Sequence, residues 1–231
     1  MEVTYTDSDI TIIDNFLDEE TLAKVREQSE CLKMQKVELG DDKAYKMNSG
    51  DIYKSENKYW SDKRPWNNNF EPFMIQLISW VSNNKSCLPD KQWEKISCML
   101  HVYMVGAELS WHWDGRLGGG SYSFYIHDDW RHTWGGNLLI ASPDTKFSAN
   151  EPSEGTSAED MIGRNYGRMS RTWNLKEESD MILKPGFGRY FAPLPNRLML
   201  TTGTTMHKVE RLDTAAGENT VSYTHLRAHE T

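Results

Sequence analysis

Cysteine is scarce in this chain. The three residues, Cys31, Cys87 and Cys98, are odd in number and form no CxxC pair. That argues against a disulfide framework and for buried or free thiols in a reducing compartment. Basic charge is also short: 26 Lys and Arg stand against 34 Asp and Glu, for a formal charge of −8. A nucleic-acid groove needs a basic face, so no nucleic-acid partner is expected, and ordinary solubility accounts for the acidity. No apolar run approaches the roughly 20 residues of a membrane span, so no membrane partner is expected either. The opening Met-Glu-Val-Thr-Tyr-Thr-Asp lacks the basic and apolar regions of a signal peptide. The expected location is cytoplasmic. No internal repeat or sustained low-complexity tract occurs.

What is present suits a packed enzyme-sized domain. The chain has 231 residues, 38% hydrophobic and 11% aromatic, enough for one core with an added layer. Residues Ile10 to Leu17 read as a β-branched edge strand. Asp18 then opens a helix with acids in its first turn, where the macrodipole favours them, and Leu22, Val25 and Leu32 form a thin apolar stripe. Residues 36–69 are polar and read as a long irregular excursion. Phe73, Leu77, Trp80 and Val81 have helical spacing within 70–84.

From Lys95 the texture changes to short apolar runs separated by Gly, Asp and Asn. They are Ile96–Val105, Tyr122–His127, Asn137–Ala141, Gly188–Ala192, Arg197–Thr201 and Lys208–Leu212. Such runs predict a β-sandwich or small barrel. A polar stretch from Pro143 to Lys184 interrupts them, and its Ser148–Asp160 segment is expected to form a mobile loop near the site mouth.

The chemistry concentrates at His112-Trp113-Asp114 and at His207. An imidazole and a carboxylate two positions apart on an extended segment point to the same side. A second imidazole from a later strand completes two nitrogens and one oxygen, the set that suits non-haem Fe(II) with positions left open. The alternative is two unrelated histidines and a turn acid before Gly115. His101, His127, His132, His225 and His229 lack matching spacing and read as structural or incidental.

The surrounding blocks favour the metal. Leu109-Ser-Trp-His-Trp-Asp-Gly115 is followed by Ser121-Tyr-Ser-Phe-Tyr-Ile126 and then by Asp128-Asp129-Trp130. Next come Trp134-Gly-Gly-Asn-Leu-Leu-Ile140, Pro195-Asn-Arg-Leu-Met-Leu200 and Thr205-Met-His-Lys-Val209. In this order the chain resembles the 2-oxoglutarate/Fe(II) dioxygenases, particularly the prolyl-hydroxylase-like branch, over roughly Ser97 to Thr220, about half its length.

The resemblance implies a mainly β fold with flanking α: a double-stranded β-helix (jelly-roll) core over 95–220, carrying a loop insertion at 143–184, behind an N-terminal helical support region over 1–94. It implies Fe(II) on His112, Asp114 and His207, 2-oxoglutarate and O₂ as co-substrates, and ascorbate as an optional reductant. Tyr103 and Tyr125 match tyrosines that hydrogen-bond 2-oxoglutarate. Arg197 matches a turn-fixing arginine, and Trp111 and Trp113 read as packing residues. The preserved Asp114 favours hydroxylation over halogenation.

The family's cation for the far carboxylate falls near position 221, where this chain has Val221. Lys208 and Arg227 are poorly spaced for the role; Arg211, expected on the same strand face as His207, is the substitute cofactor-binding candidate. Residues 221–231 abandon the strand texture and resemble translated sequencing-adapter DNA, a non-native tail. The implied reaction is hydroxylation of a C–H bond, of a peptidyl proline or of a small molecule or free amino acid. A jelly-roll binding module without catalysis and a jelly-roll metalloenzyme that uses no 2-oxoglutarate are the alternatives.

Overall fold

The computed structural model describes residues 1–37, 48–49, 51–56, 58–60, 71–84, 95–112, 120–143, 145, 180, 182–203, 205–218 and 221–229. For 48–49, 58–60, 95–97, 110 and 221–229 only the backbone is described. The order begins β1 (Glu2–Thr6), β2 (Ile10–Asp14), α1 (Glu19–Glu30), β3 (Met34–Lys36), β4 (Asn48–Ser49), β5 (Ile52–Ser55), β6 (Lys58–Trp60) and α2 (Glu71–Asn83). It continues with β7 (Lys95–Tyr103), β8 (Glu108–His112), β9 (Ser121–Tyr125), β10 (Leu138–Ala141), β11 (Gly188–Phe191), β12 (Leu198–Thr201), β13 (His207–Val209) and β14 (Val221–His229).

Two antiparallel sheets face each other. The major sheet runs β1-β2-β12-β9-β14-β7-β5-β3, with β6 pairing β7 to one side; the minor sheet runs β11-β10-β13-β8-β4. This is the expected jelly roll, with both helices on the outer face of the major sheet. Asp18 caps α1 by accepting the Thr21 N–H at 2.8 Å, while Glu19 and Glu20 occupy the first turn.

Alternation sorts the major sheet into two cores. Tyr122 and Phe124 of β9, Leu198 and Leu200 of β12 and Leu100 of β7 pack against Leu22, Val25, Phe73 and Leu77 of the helices. The intervening residues, Tyr125, Met199 and Tyr103, face Leu138, Ile140, Leu109 and Val209 of the minor sheet.

Several sequence expectations change. The Ile10–Asp14 strand is not an edge, because β1 pairs outside it and β12 inside. The excursion at 36–69 contributes β5 and β6, both paired to β7, so the N-terminal third supplies strands as well as helices. Residues 221–229 form a strand that is hydrogen-bonded to β7 on one side and β9 on the other. Without it both neighbours would present unpaired backbone groups in mid-sheet, and that demand overrides its weak strand texture. The Ser148–Asp160 segment lies outside the described residues.

Asn196 and Arg197 tie the jelly roll to its N-terminal strands. Asn196 adopts a left-handed backbone (φ 59°), which asparagine tolerates, and its amide brackets Leu17 through bonds of 2.9 and 2.8 Å. Arg197 forks onto Asp14 at 2.6 and 2.8 Å and also donates to the Ala192 carbonyl. That fork holds the Asp14 carboxyl below the usual carboxylate range, against the opposing effect of burial.

Among the described residues no helix is long and apolar enough to cross a membrane. Among the described cysteines Cys31 is free and exposed, and Cys98 is free and buried, its thiol pushed up to about 12 by burial.

Candidate metal centre

His112 ends β8 and His207 begins β13, and the two stand opposite each other in the ladder. A bulge makes that possible. From His207 to Val209 is two steps on β13, but the facing residues His112 and Leu109 are three steps apart on β8. Strict alternation would send Leu109 and His112 to opposite faces. Here Leu109 joins the inner core, and the His112 ring meets the His207 ring at 4.2 Å between centroids, inclined 56°. Bulges beside functional sites often re-aim a side chain in this way.

Both imidazoles are buried, at 4% exposure each. His207 Nδ1 lies 2.9 Å from the carbonyl of Thr205. A carbonyl only accepts, so Nδ1 carries the proton, which leaves Nε2 as the nitrogen available to a metal. Two imidazoles held together suit Fe, Zn, Cu or Ni, so the donor chemistry fits a metal. Asp114 and Trp113 lie outside the described residues; among those described, no group of three His, Cys, Asp or Glu could hold a metal ion.

Tyr103 and Tyr125 end β7 and β9, and both are buried in the inner core. The strand between them, β14, sets Val221 opposite Tyr103 and Tyr223 opposite Tyr125. Burial raises the Tyr125 hydroxyl well above its ordinary value; the Arg197 charge opposes this and Tyr103 adds to it. The phenol is therefore a neutral hydrogen-bond donor at physiological pH.

Arg211 lies off the strand that carries His207. β13 stops at Val209, so alternation from His207 does not extend to it. Its side chain is 59% exposed and pairs at 2.6 Å with Glu108, which is only 8% exposed. Lys208 approaches the same carboxylate at 3.6 Å. Arg211 is thus committed to a surface cluster. Trp111 is half-buried; His127 bonds the Pro193 carbonyl at 2.6 Å and packs on Trp130.

Two features escaped the reading of the sequence. One is Thr205, whose carbonyl orients His207. The other is a buried hydroxyl pair, Ser121 and Thr201, 2.6 Å apart on the inward positions of β9 and β12. Hydroxyls at inward positions of apolar strands were the available signal for the pair.

No protein-family model matches the chain, and no curated protein matches it. Solved structures do. A prolyl-4-hydroxylase from Pseudomonas putida superposes with a TM-score of 0.55 at 13% identity, covering 96% of this chain and 94% of that one. A Trichoplax adhaerens prolyl hydroxylase in complex with a hypoxia inducible factor oxygen degradation domain peptide fragment gives 0.57 at 14% identity, covering 96% and 83%. HygX from Streptomyces hygroscopicus, with nickel and 2-oxoglutarate bound, gives 0.53 at 13% identity, covering 94% and 81%. The chain therefore shares the jelly-roll fold of the 2-oxoglutarate/Fe(II) oxygenases.

Proposed function

We propose that this protein is an Fe(II)- and 2-oxoglutarate-dependent dioxygenase that hydroxylates a C–H bond. The carrying observation is the buried pair of His112 and His207, in register across two strands of this fold, with the His207 Nδ1 proton bound to a backbone carbonyl. Asp114, two positions after His112, supplies the third ligand. When bound, iron activates O₂ while 2-oxoglutarate is oxidatively decarboxylated to succinate and CO₂.

The protein's share is orientation and exclusion of water. Tyr103 and Tyr125, both buried, donate hydrogen bonds to a 2-oxoglutarate carboxylate, and burial holds the Tyr125 hydroxyl protonated for that task. The far carboxylate needs a cation. Val221 occupies the register position opposite Tyr103, Arg197 is held by Asp14 and Arg211 by Glu108. Weak 2-oxoglutarate binding by the chain as written is the expected consequence.

The fold shared with two prolyl hydroxylases, one of them peptide-bound, supports a peptidyl proline as substrate. A small molecule or free amino acid is the second reading of the substrate. The absence of a cation at position 221 also supports a non-catalytic jelly-roll module. One titration separates enzyme from module. Anaerobic addition of Fe(II) and 2-oxoglutarate to a Val221→Arg variant gives a weak visible charge-transfer band if both bind together. No band in that variant contradicts the dioxygenase reading.

A further inference from the structure

We propose that Arg189 is a positioning residue for His207, an inference that rests on reading His207 as a metal ligand. Arg189 lies on β11, opposite Ile140 of β10, with a side chain 17% exposed. Its guanidinium bonds the carboxylates of Asp7 and Asp9, the latter at 2.6 Å, and the Ala141 carbonyl at 3.2 Å. It thus fastens the turn between β1 and β2 to the end of β10, joining the two sheets.

Both residues before His207 hang from the groups that Arg189 joins. On one side, the backbone carbonyl of Asp9 accepts the Thr202 N–H and the Thr205 hydroxyl, each at 3.0 Å. With its proton so used, Thr205 Oγ1 accepts from Thr202 Oγ1 at 2.7 Å. The Thr205 carbonyl then accepts a hydrogen bond from His207 Nδ1–H. On the other side, the Ala141 N–H donates to the Met206 carbonyl at 3.0 Å. Arg189 is therefore linked to the imidazole through Asp9 and Thr205, and to its backbone through Ala141 and Met206. A ligating ring whose outer partner is fixed needs less ordering when metal arrives, and such partners typically change metal affinity about 10- to 100-fold.

Co(II) is the probe, because its visible ligand-field bands report affinity and ligand environment without turnover. Arg189→Met and Thr205→Val are each expected to weaken Co(II) binding about 10-fold, while Thr205→Ser stays near the parent. The double variant is expected to remain near 10-fold, because Thr205→Val breaks a link that Arg189→Met already disrupts, whereas independent effects would multiply to about 100-fold. Leu22→Ala, on the buried face of α1, serves as a stability control and is expected to lower the melting temperature without weakening Co(II) binding.

The inference is overturned if Arg189→Met binds Co(II) like the parent, if the two effects multiply, or if Leu22→Ala weakens binding as much. His207→Ala separates the two levels. A parent that needs His207 but ignores Arg189 loses this inference alone; a parent indifferent to His207 loses the metal reading as well.

Discussion

The two faces of β9 sit side by side and serve different ends. Tyr122 and Phe124 turn toward the helices, where Phe73 stacks on Phe124 at 4.6 Å and Phe16 meets both rings edge-on. Ser121 and Tyr125 turn the other way, toward Thr201, Tyr103 and the minor sheet. The helix side is an aromatic and aliphatic pack with little for a ligand to bind. The inner side is broken by phenols, hydroxyls and two imidazoles. Stability and chemistry are thus separated by the alternation of a single strand, and changes on one face should leave the other largely intact.

The sharpest break comes from the helix side. Phe73→Ala removes a fully buried ring and should cost about 3–5 kcal/mol, read by denaturant unfolding. Metal affinity of the folded fraction should hold. If Co(II) affinity fell in step with stability, the two faces would not be separable.

On the inner side, Val221→Arg should tighten 2-oxoglutarate binding about 10- to 100-fold by isothermal titration with Fe(II) present, since a charge-assisted fork contributes roughly 1.5–3 kcal/mol. Replacing residues 221–231 with a β-strand from a relative tests the same point without depending on one side chain. Tight binding by the unmodified chain would show that another group already holds the carboxylate.

Arg197 tests the seam between the regions. Arg197→Met should cost about 1.5–3 kcal/mol at neutral pH, because it removes the charged fork from the Asp14 carboxylate. The sign of the pH effect follows from Asp14, whose folded value lies below the ordinary one. The pair's contribution is complete above the ordinary carboxylate range and is lost as pH falls through the folded value. Parent and variant stabilities should therefore converge in acid. A gap independent of pH would remove Asp14 from the account.

The smallest effect is expected from Tyr125→Phe, which deletes one hydroxyl and keeps the ring. It should weaken 2-oxoglutarate by about 0.5–1.5 kcal/mol in the Val221→Arg background. An unchanged affinity would leave Tyr125 as a packing residue.

Elements with a local signal were legible in the sequence. The spacing of Phe73, Leu77 and Trp80 revealed α2, Asp18 with its following acids revealed the start of α1, and the ordered blocks around His112 and His207 revealed the jelly roll. Elements that a partner strand decides were not legible. Glu2–Thr6 is exposed along its length and becomes a strand only by pairing with β2. Residues 221–229 look unlike a strand but fill the gap between β7 and β9. Arg211 was misplaced because alternation was carried past the end of β13, and because the buried Glu108 that captures it is 103 residues away in sequence. The bulge in β8 was equally invisible, since only its pairing with β13 defines it.

Anaerobic equilibrium dialysis of Fe(II) against the parent and His207→Ala tests the central claim most directly, with His112→Ala and Asp114→Ala alongside. The account predicts one iron site in the parent and sharply weaker binding in all three variants. His207→Ala binding iron as tightly as the parent would contradict it.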